Sequence, residues 1–176
     1  QEGFCGRNSA LGLRGRFGSE IDDLILDYLA EITMSILARA KSRKPELGYA
    51  TDFVSLVVGP LAAELAEKKI KVVANAGGCN PGECAAALER DLERRGVKLH
   101  VAAVLGDDVS PLLEGLRQEG SVREMWTGEA LPEKVLTANA YLGAFAIAKA
   151  LALPSQGIDG VLRFSPRETS LQGPRI

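Results

Sequence analysis

The chain has 176 residues, 46% of them hydrophobic and 25% charged, which suits a single globular domain with a sizeable core. A net charge of −2 and a pI near 5.6 offer nothing to attract nucleic acid or an anionic membrane. At 5% aromatics, stacking platforms for single-stranded nucleic acid are also scarce.

Residues 1–19, QEGFCGRNSALGLRGRFGS, are rich in glycine and arginine, lack a sustained apolar period and read as irregular. Ile21 to Leu26 reads as a short strand. From Asp27 to about Lys44, apolar residues at 29, 32, 36, 37 and 40 predict a helix. Pro45 stops it, and Arg39, Lys41, Arg43 and Lys44 suit the negative end of its dipole. Thr51 to Lys69 is again helical in spacing, with Pro60 placed to kink or split it.

Ile70 to Ala74, IKVVA, is a continuous β-branched run, as in a strand buried on both faces. The turn Asn75-Ala76-Gly77-Gly78-Cys79-Asn80 follows. Asn80 suits an N-cap, Pro81 a first helical position and Glu83 a capping box; Arg94 and Arg95 close that helix and Gly96 ends it. Val97 to Leu105 is a second clear strand. Strand, helix and strand with short loops make a βαβ unit with parallel pairing. After Gly106-Asp107-Asp108, Ser110-Pro111 reads as an N-cap and first turn of a short helix ending near Gln118.

Residues 119–136 form a longer polar connection that holds the only tryptophan, Trp126. Thr137 to Leu153 is apolar nearly all round and predicts a buried helix. Residues 154–176 are rich in proline and glycine, with one weak strand candidate, Gly160 to Phe164. This tail is expected to pack loosely against the rest.

Three cysteines, Cys5, Cys79 and Cys84, have no framework spacing and read as free thiols of a reducing, cytoplasmic compartment. No apolar run long enough for a transmembrane helix and no secretory leader are expected. The chain opens on Gln1 rather than Met and is read as a processed or cut product.

Ligands of open parallel sheets bind outside the carboxyl ends of the strands. Two such ends are placed here, Asn75 to Gly78 and Gly106 to Asp108. Gly77 and Gly78 either admit a ligand close to the backbone or simply make the turn, and the helix after Asn80 offers free N–H groups to an anion. Asp107 and Asp108 suit a divalent cation, polarisation of a hydroxyl, or a solvated loop that favours a helix start. Asp27, Tyr28 and Glu31 form a second polar group. With Asp27 and Glu31 on one helix face, they offer acid–base chemistry or a dipole-favoured helix start. Cys79, beside a helix N-terminus, is placed for a lowered thiol pKa. His100 lies mid-strand and reads as a packed core residue. No metal site is assigned.

Taken in order, "DYLAEITMSILARAK", "LGYATDFV", "KVVANAGGCNP", "VLGDD" and "LTANAYLGAFAIAKAL" resemble the acyclic terpene utilisation family over roughly residues 20–150. The resemblance implies breakdown of acyclic terpenes beside acyl-CoA carboxylases. It carries Asp27, Tyr28, Glu31, Tyr49, Asp52, Asn75, Gly77, Gly78, Asn80, Asp107, Asp108, Asn139 and Tyr141 over as matched polar positions. The region before Asp27, Leu26 in place of a frequent glycine, and the tail after Ala150 depart from that pattern.

The expected fold is α/β, three-layer and Rossmann-like, with a short, mostly parallel sheet, as part of a larger domain. An irregular segment spans 1–19, the family-like domain 20–153 and a divergent tail 154–176. The expected function is a catabolic enzyme or enzyme fragment acting on a branched acyl or acyl-CoA substrate at the strand ends. Asp27, Glu31, Asp107 and Asp108 are the catalytic candidates; Tyr28, Asn75, Gly77, Gly78, Asn80 and Asn139 are the ligand-binding ones. The alternative is a non-catalytic binding or assembly module. The expected partner is a small molecule, with no nucleic acid, no membrane, a homo-oligomer allowed and the cofactor unknown.

Overall fold

A computed structural model of the chain describes residues 21–120 and 122–152 and the strand at 161–164; residues 1–19 lie outside these. The fold is a small α/β arrangement around a four-stranded, all-parallel sheet. β1 (Asp23–Leu26), β2 (Lys71–Ala74), β3 (His100–Ala103) and β4 (Val161–Phe164) lie in the order β1-β2-β4-β3. The helices are α1 (Glu31–Arg43), α2 (Gly59–Glu67), α3 (Pro81–Arg95), α4 (Leu113–Glu119) and α5 (Ala144–Leu151). No helix among the described residues is long and apolar enough to cross a membrane.

Pro60 has the effect its position predicts. It has no N–H for an i→i−4 bond, and the helical run changes register around it. Phe53–Val58 is a π-helical segment, closed by the Gly59 N–H donating to the Val54 carbonyl, and α2 continues from Gly59. Gly59 also lets α3 come close. A Cβ there would lie 2.4 Å from Asp91 Oδ2 and 2.8 Å from the Val54 carbonyl. Asp91 is itself buried, and it accepts from Arg94 Nη2 at 2.8 Å and Arg95 Nε at 2.6 Å.

The core lies where the 53–67 helical run, α3 and β2 meet. Phe53, Leu61, Leu65, Ile70, Val72, Leu88 and Leu92 are all buried there. Full burial of side chains this size stabilises by about 1.5–3 kcal/mol each. Cys84 is fully buried in the same core, and burial pushes its thiol pKa far up. α3 ends at Gly96 in the left-handed region, φ 68°.

Several sequence expectations change. α1 begins at Glu31, so Asp27 stands in the loop after β1 and shares no helix face with Glu31. β2 and β3 are parallel but do not pair, because the α3 crossover leaves one strand position between them. β4 fills it, pairing Val72 with Leu162 on one side and Val101 with Leu162 on the other. Those four tail residues therefore sit in the middle of the sheet rather than loosely against it. Thr137 to Leu153 is not one buried helix. Residues 138–140 run beside 107–109, through Val109 N to Ala138 O at 2.9 Å and Ala140 N to Asp107 O at 2.7 Å. Only 144–151 remain helical, and no residue of α5 is buried. His100 is exposed on the edge strand β3 and is not a core residue.

Candidate functional site

The parallel strands bring their carboxyl ends to one edge of the sheet. Asp27 follows β1, Asn75 follows β2, and the loop after β3 reaches Asp107. Asn75 ties the first two ends together. Its Nδ2 donates to Asp27 Oδ1 at 2.5 Å, and its Oδ1 accepts the Tyr28 N–H at 2.6 Å. The Tyr28 ring packs edge-on against Phe53, centroids 5.5 Å apart, which anchors this corner to the core.

The glycine turn is packed rather than open. Gly77 and Gly78 are both buried. Gly78 has φ +53°, and a Cβ there would lie 2.4 Å from Leu37 Cδ1 and 2.8 Å from the Gly48 carbonyl. α1 and the Gly48 loop thus occupy the space that a ligand at the backbone of Gly78 would need. Asn80 stands at the N-cap position of α3, yet its side chain makes no cap bond. Its Nδ2 instead donates to the Pro45 and Leu47 carbonyls, both at 2.8 Å, so the expected capping box is absent. The amide ties down the loop that leads to Gly48.

A second polar cluster stands at the end of β3. Asp107 is 4% exposed, and its Oδ2 accepts from Asn139 Nδ2 at 2.7 Å. Asn139 Oδ1 in turn accepts from Thr137 Oγ1 at 2.5 Å. Burial raises the Asp107 carboxyl pKa, with the Asn139 bond opposing the rise. The neighbouring Asp108 is exposed and shifts the other way. Its bonds with Ser110 hold it below its usual value, and its Oδ1 accepts the Ser110 N–H at 2.9 Å. Two adjacent carboxyls with pKa values pushed apart divide into one that holds its proton more tightly, Asp107, and one that stays ionised, Asp108.

Cys79 faces this cluster. Its Sγ lies 3.9 Å from Thr137 Oγ1 and 3.7 Å from the Met34 carbonyl. Burial raises its thiol pKa against the opposing effects of Thr137 and Lys41. The lowered value expected beside a helix N-terminus is therefore not reached, since desolvation of the thiolate outweighs it. Lys41 Nζ donates to the Cys79 carbonyl at 2.7 Å.

Two cavities meet at Thr137 and Asn139. One, about 230 Å³, runs between the start of α1 and the 137–141 strip; Leu29, Ala30, Met34 and Ala140 make it mainly apolar, and Glu31 and Tyr141 add polar groups. The other, about 220 Å³, holds Lys41, Cys79, Asp108 and Ser110. Of the four carboxylates read from the sequence, Glu31 and Asp108 line a cavity, whereas Asp27 and Asp107 stand behind, bonded to the amides of Asn75 and Asn139. Tyr28, Asn75, Gly77, Gly78 and Asn80 brace the surrounding loops. Tyr49 faces a separate cleft. Among the described residues, no group of three His, Cys, Asp or Glu could hold a metal ion.

Lys41 and Thr137 were missed as cavity residues. Lys41 carries a partial signal, four residues after Leu37 on the face of α1 that covers the glycine turn. Thr137 carries none, because the strip 137–140 is called into an extended form by the backbone of 107–109.

No curated protein and no solved structure matches the chain. The model of the acyclic terpene utilisation family protein AtuA matches residues 11–158, and the chain therefore belongs to the acyclic terpene utilisation family.

Proposed function

We propose that the chain is a catabolic enzyme of acyclic terpene utilisation, or part of one, acting on a branched acyl or acyl-CoA substrate at the carboxyl ends of the strands. The observation that carries this reading is the pair of cavities joined at Asn139, one mainly apolar and one lined by Lys41, Cys79 and Asp108. A branched chain fits the first, between Met34 and Ala140. The acyl head then reaches Thr137 and Asn139, whose hydroxyl and amide orient it. Asp108, held ionised, is the base. Lys41 is the cation that offsets negative charge developing on the acyl oxygen. Asp107 and Asp27 act one step back, by fixing Asn139 and Asn75. Ligand pockets of about 300–1,000 Å³ are usual, and the two cavities reach that range only together, so the substrate spans both.

Calorimetric titration of the full chain with a branched monoterpenoid acid, and with its CoA thioester, tests this reading. Met34→Trp fills the apolar cavity and is expected to abolish binding of both. Unchanged binding by a folded Met34→Trp variant overturns the assignment. A second reading, a non-catalytic assembly module, draws on α5, where Phe145 is 75% exposed. It predicts a homo-oligomer that Phe145→Glu dissociates and ligand binding without turnover.

A further inference from the structure

A third cavity, about 680 Å³ and open to solvent, lies between the start of the 53–67 helical run and α3. It shares no lining residue with the two cavities at the strand ends. Tyr49, Thr51 and Ser55 line one wall; Arg90, Glu93 and Arg94 line the other. We propose that this cleft is a second ligand site and takes a phosphate group, free or carried on a nucleotide.

The charges facing the cleft favour an oxyanion. Arg90 and Arg94 are one helical turn apart on α3, where like charges repel. Arg94 is positioned by Asp91, through Nη2 to Oδ1 at 2.8 Å, and shares that one carboxylate with Arg95. Arg90 has no ion-pair partner among the described residues. A guanidinium offers a planar fork of donors that matches two phosphate oxygens at once. The hydroxyls of Tyr49, Thr51 and Ser55 supply further donors from the opposite wall. Ser55 Oγ donates to the Thr51 carbonyl at 3.1 Å, and its hydroxyl can turn to an oxyanion instead. Burial raises the Tyr49 phenol pKa, which keeps it a donor at neutral pH. Glu93 is the one opposing charge on the lining, and it weakens the site.

Those opposed signs make a direct test. The full chain is titrated by calorimetry with inorganic phosphate and, separately, with adenosine monophosphate. Ionic strength is held constant with chloride so that screening does not vary. Both arginine and glutamate are exposed on α3, so Arg90→Gln and Glu93→Gln keep the fold, which circular dichroism checks. Saturable binding is expected, weakened about tenfold or more in Arg90→Gln and tightened in Glu93→Gln. Tighter binding of adenosine monophosphate than of phosphate assigns the site to a nucleotide, and equal binding assigns it to the free anion. No saturable binding of either probe, or binding indifferent to both substitutions, overturns the proposal. The test is independent of the strand-end cavities, because neither substitution touches them.

Discussion

Asn75 joins the carboxyl ends of β1 and β2 through both ends of its amide, donating to Asp27 Oδ1 at 2.5 Å and accepting the Tyr28 N–H at 2.6 Å. No other side chain of similar size offers a donor and an acceptor in this geometry. Asn75→Ala removes the acceptor for Tyr28 N–H and the donor for Asp27, and is expected to cost about 1–3 kcal/mol. Asn75→Asp should be worse than Ala, because it sets a second carboxylate against Asp27. Urea denaturation ranks the three proteins. An aspartate variant as stable as the parent contradicts the bond.

Gly78 is closed to any larger residue by α1 and by backbone. With φ +53° and a Cβ position 2.4 Å from Leu37 Cδ1 and 2.8 Å from the Gly48 carbonyl, Gly78→Val meets both strain and collision. A loss of about 3 kcal/mol or more, or an insoluble product, is expected. Adding Leu37→Ala removes the side-chain clash but not the carbonyl, so it should recover only part of the loss. Melting temperatures of the single and double variants decide it, and complete recovery would show that the carbonyl contact is immaterial.

Asn80 separates capping from tethering. As N-cap residues, Asn and Asp are about equivalent, and Ala costs about 1 kcal/mol. Here the amide donates to two carbonyls, Pro45 and Leu47, both at 2.8 Å. Aspartate has no donor and would place its charge against both oxygens. Asn80→Asp is therefore expected to be less stable than Asn80→Ala. The reverse order in chemical denaturation would restore the cap.

Asp107 and Asp108 give opposite pH dependences. The Asp107 carboxyl is raised above its ordinary 3.8 by burial, so the folded protein holds that proton more tightly than the unfolded chain. Its contribution to stability falls as pH rises from 3.8 through the raised value. Asp107→Asn keeps an acceptor for Asn139 and removes the charge. It should be more stable than the parent at neutral pH, with the advantage shrinking as pH falls through the raised value towards 3.8. Asp108, lowered by Ser110, contributes above its ordinary value and loses that contribution as pH falls through the lowered one. Denaturation midpoints of Asp107→Asn and of Asp108→Asn, each against the parent across pH 3–8, test the two signs. An Asp107→Asn advantage that grows on acidification would reverse the assignment.

β4 fills the gap between β2 and β3, with Leu162 in register with both Val72 and Val101. Removing residues 161–176 leaves two inner strand edges open, which invites pairing between chains. An insoluble or molten product without a cooperative melt is expected. A truncated chain that melts within a few degrees of the parent would remove β4 from the sheet.

Local chemistry in the sequence determined the elements whose signals lie within a few residues. The β-branched run before Ala74 makes β2, Gly96 ends α3 in the left-handed region, and Pro60 changes the helical register by lacking an N–H. The strand ends at Asn75 and Asp107 were legible for the same reason, since a strand followed by a polar turn marks itself. The tertiary structure alone decided what those turns face. Gly78 looks like a ligand approach until Leu37, forty-one residues earlier, fills the space. Asn80 looks like a cap until the Pro45 and Leu47 carbonyls claim its amide. Thr137 to Asn139 looks like helix until the backbone of 107–109 draws it into an extended strip, which closes both cavities around Asn139. In each case a non-local partner satisfies a polar group or fills a volume, and periodicity along one chain carries no record of which distant segment will do so.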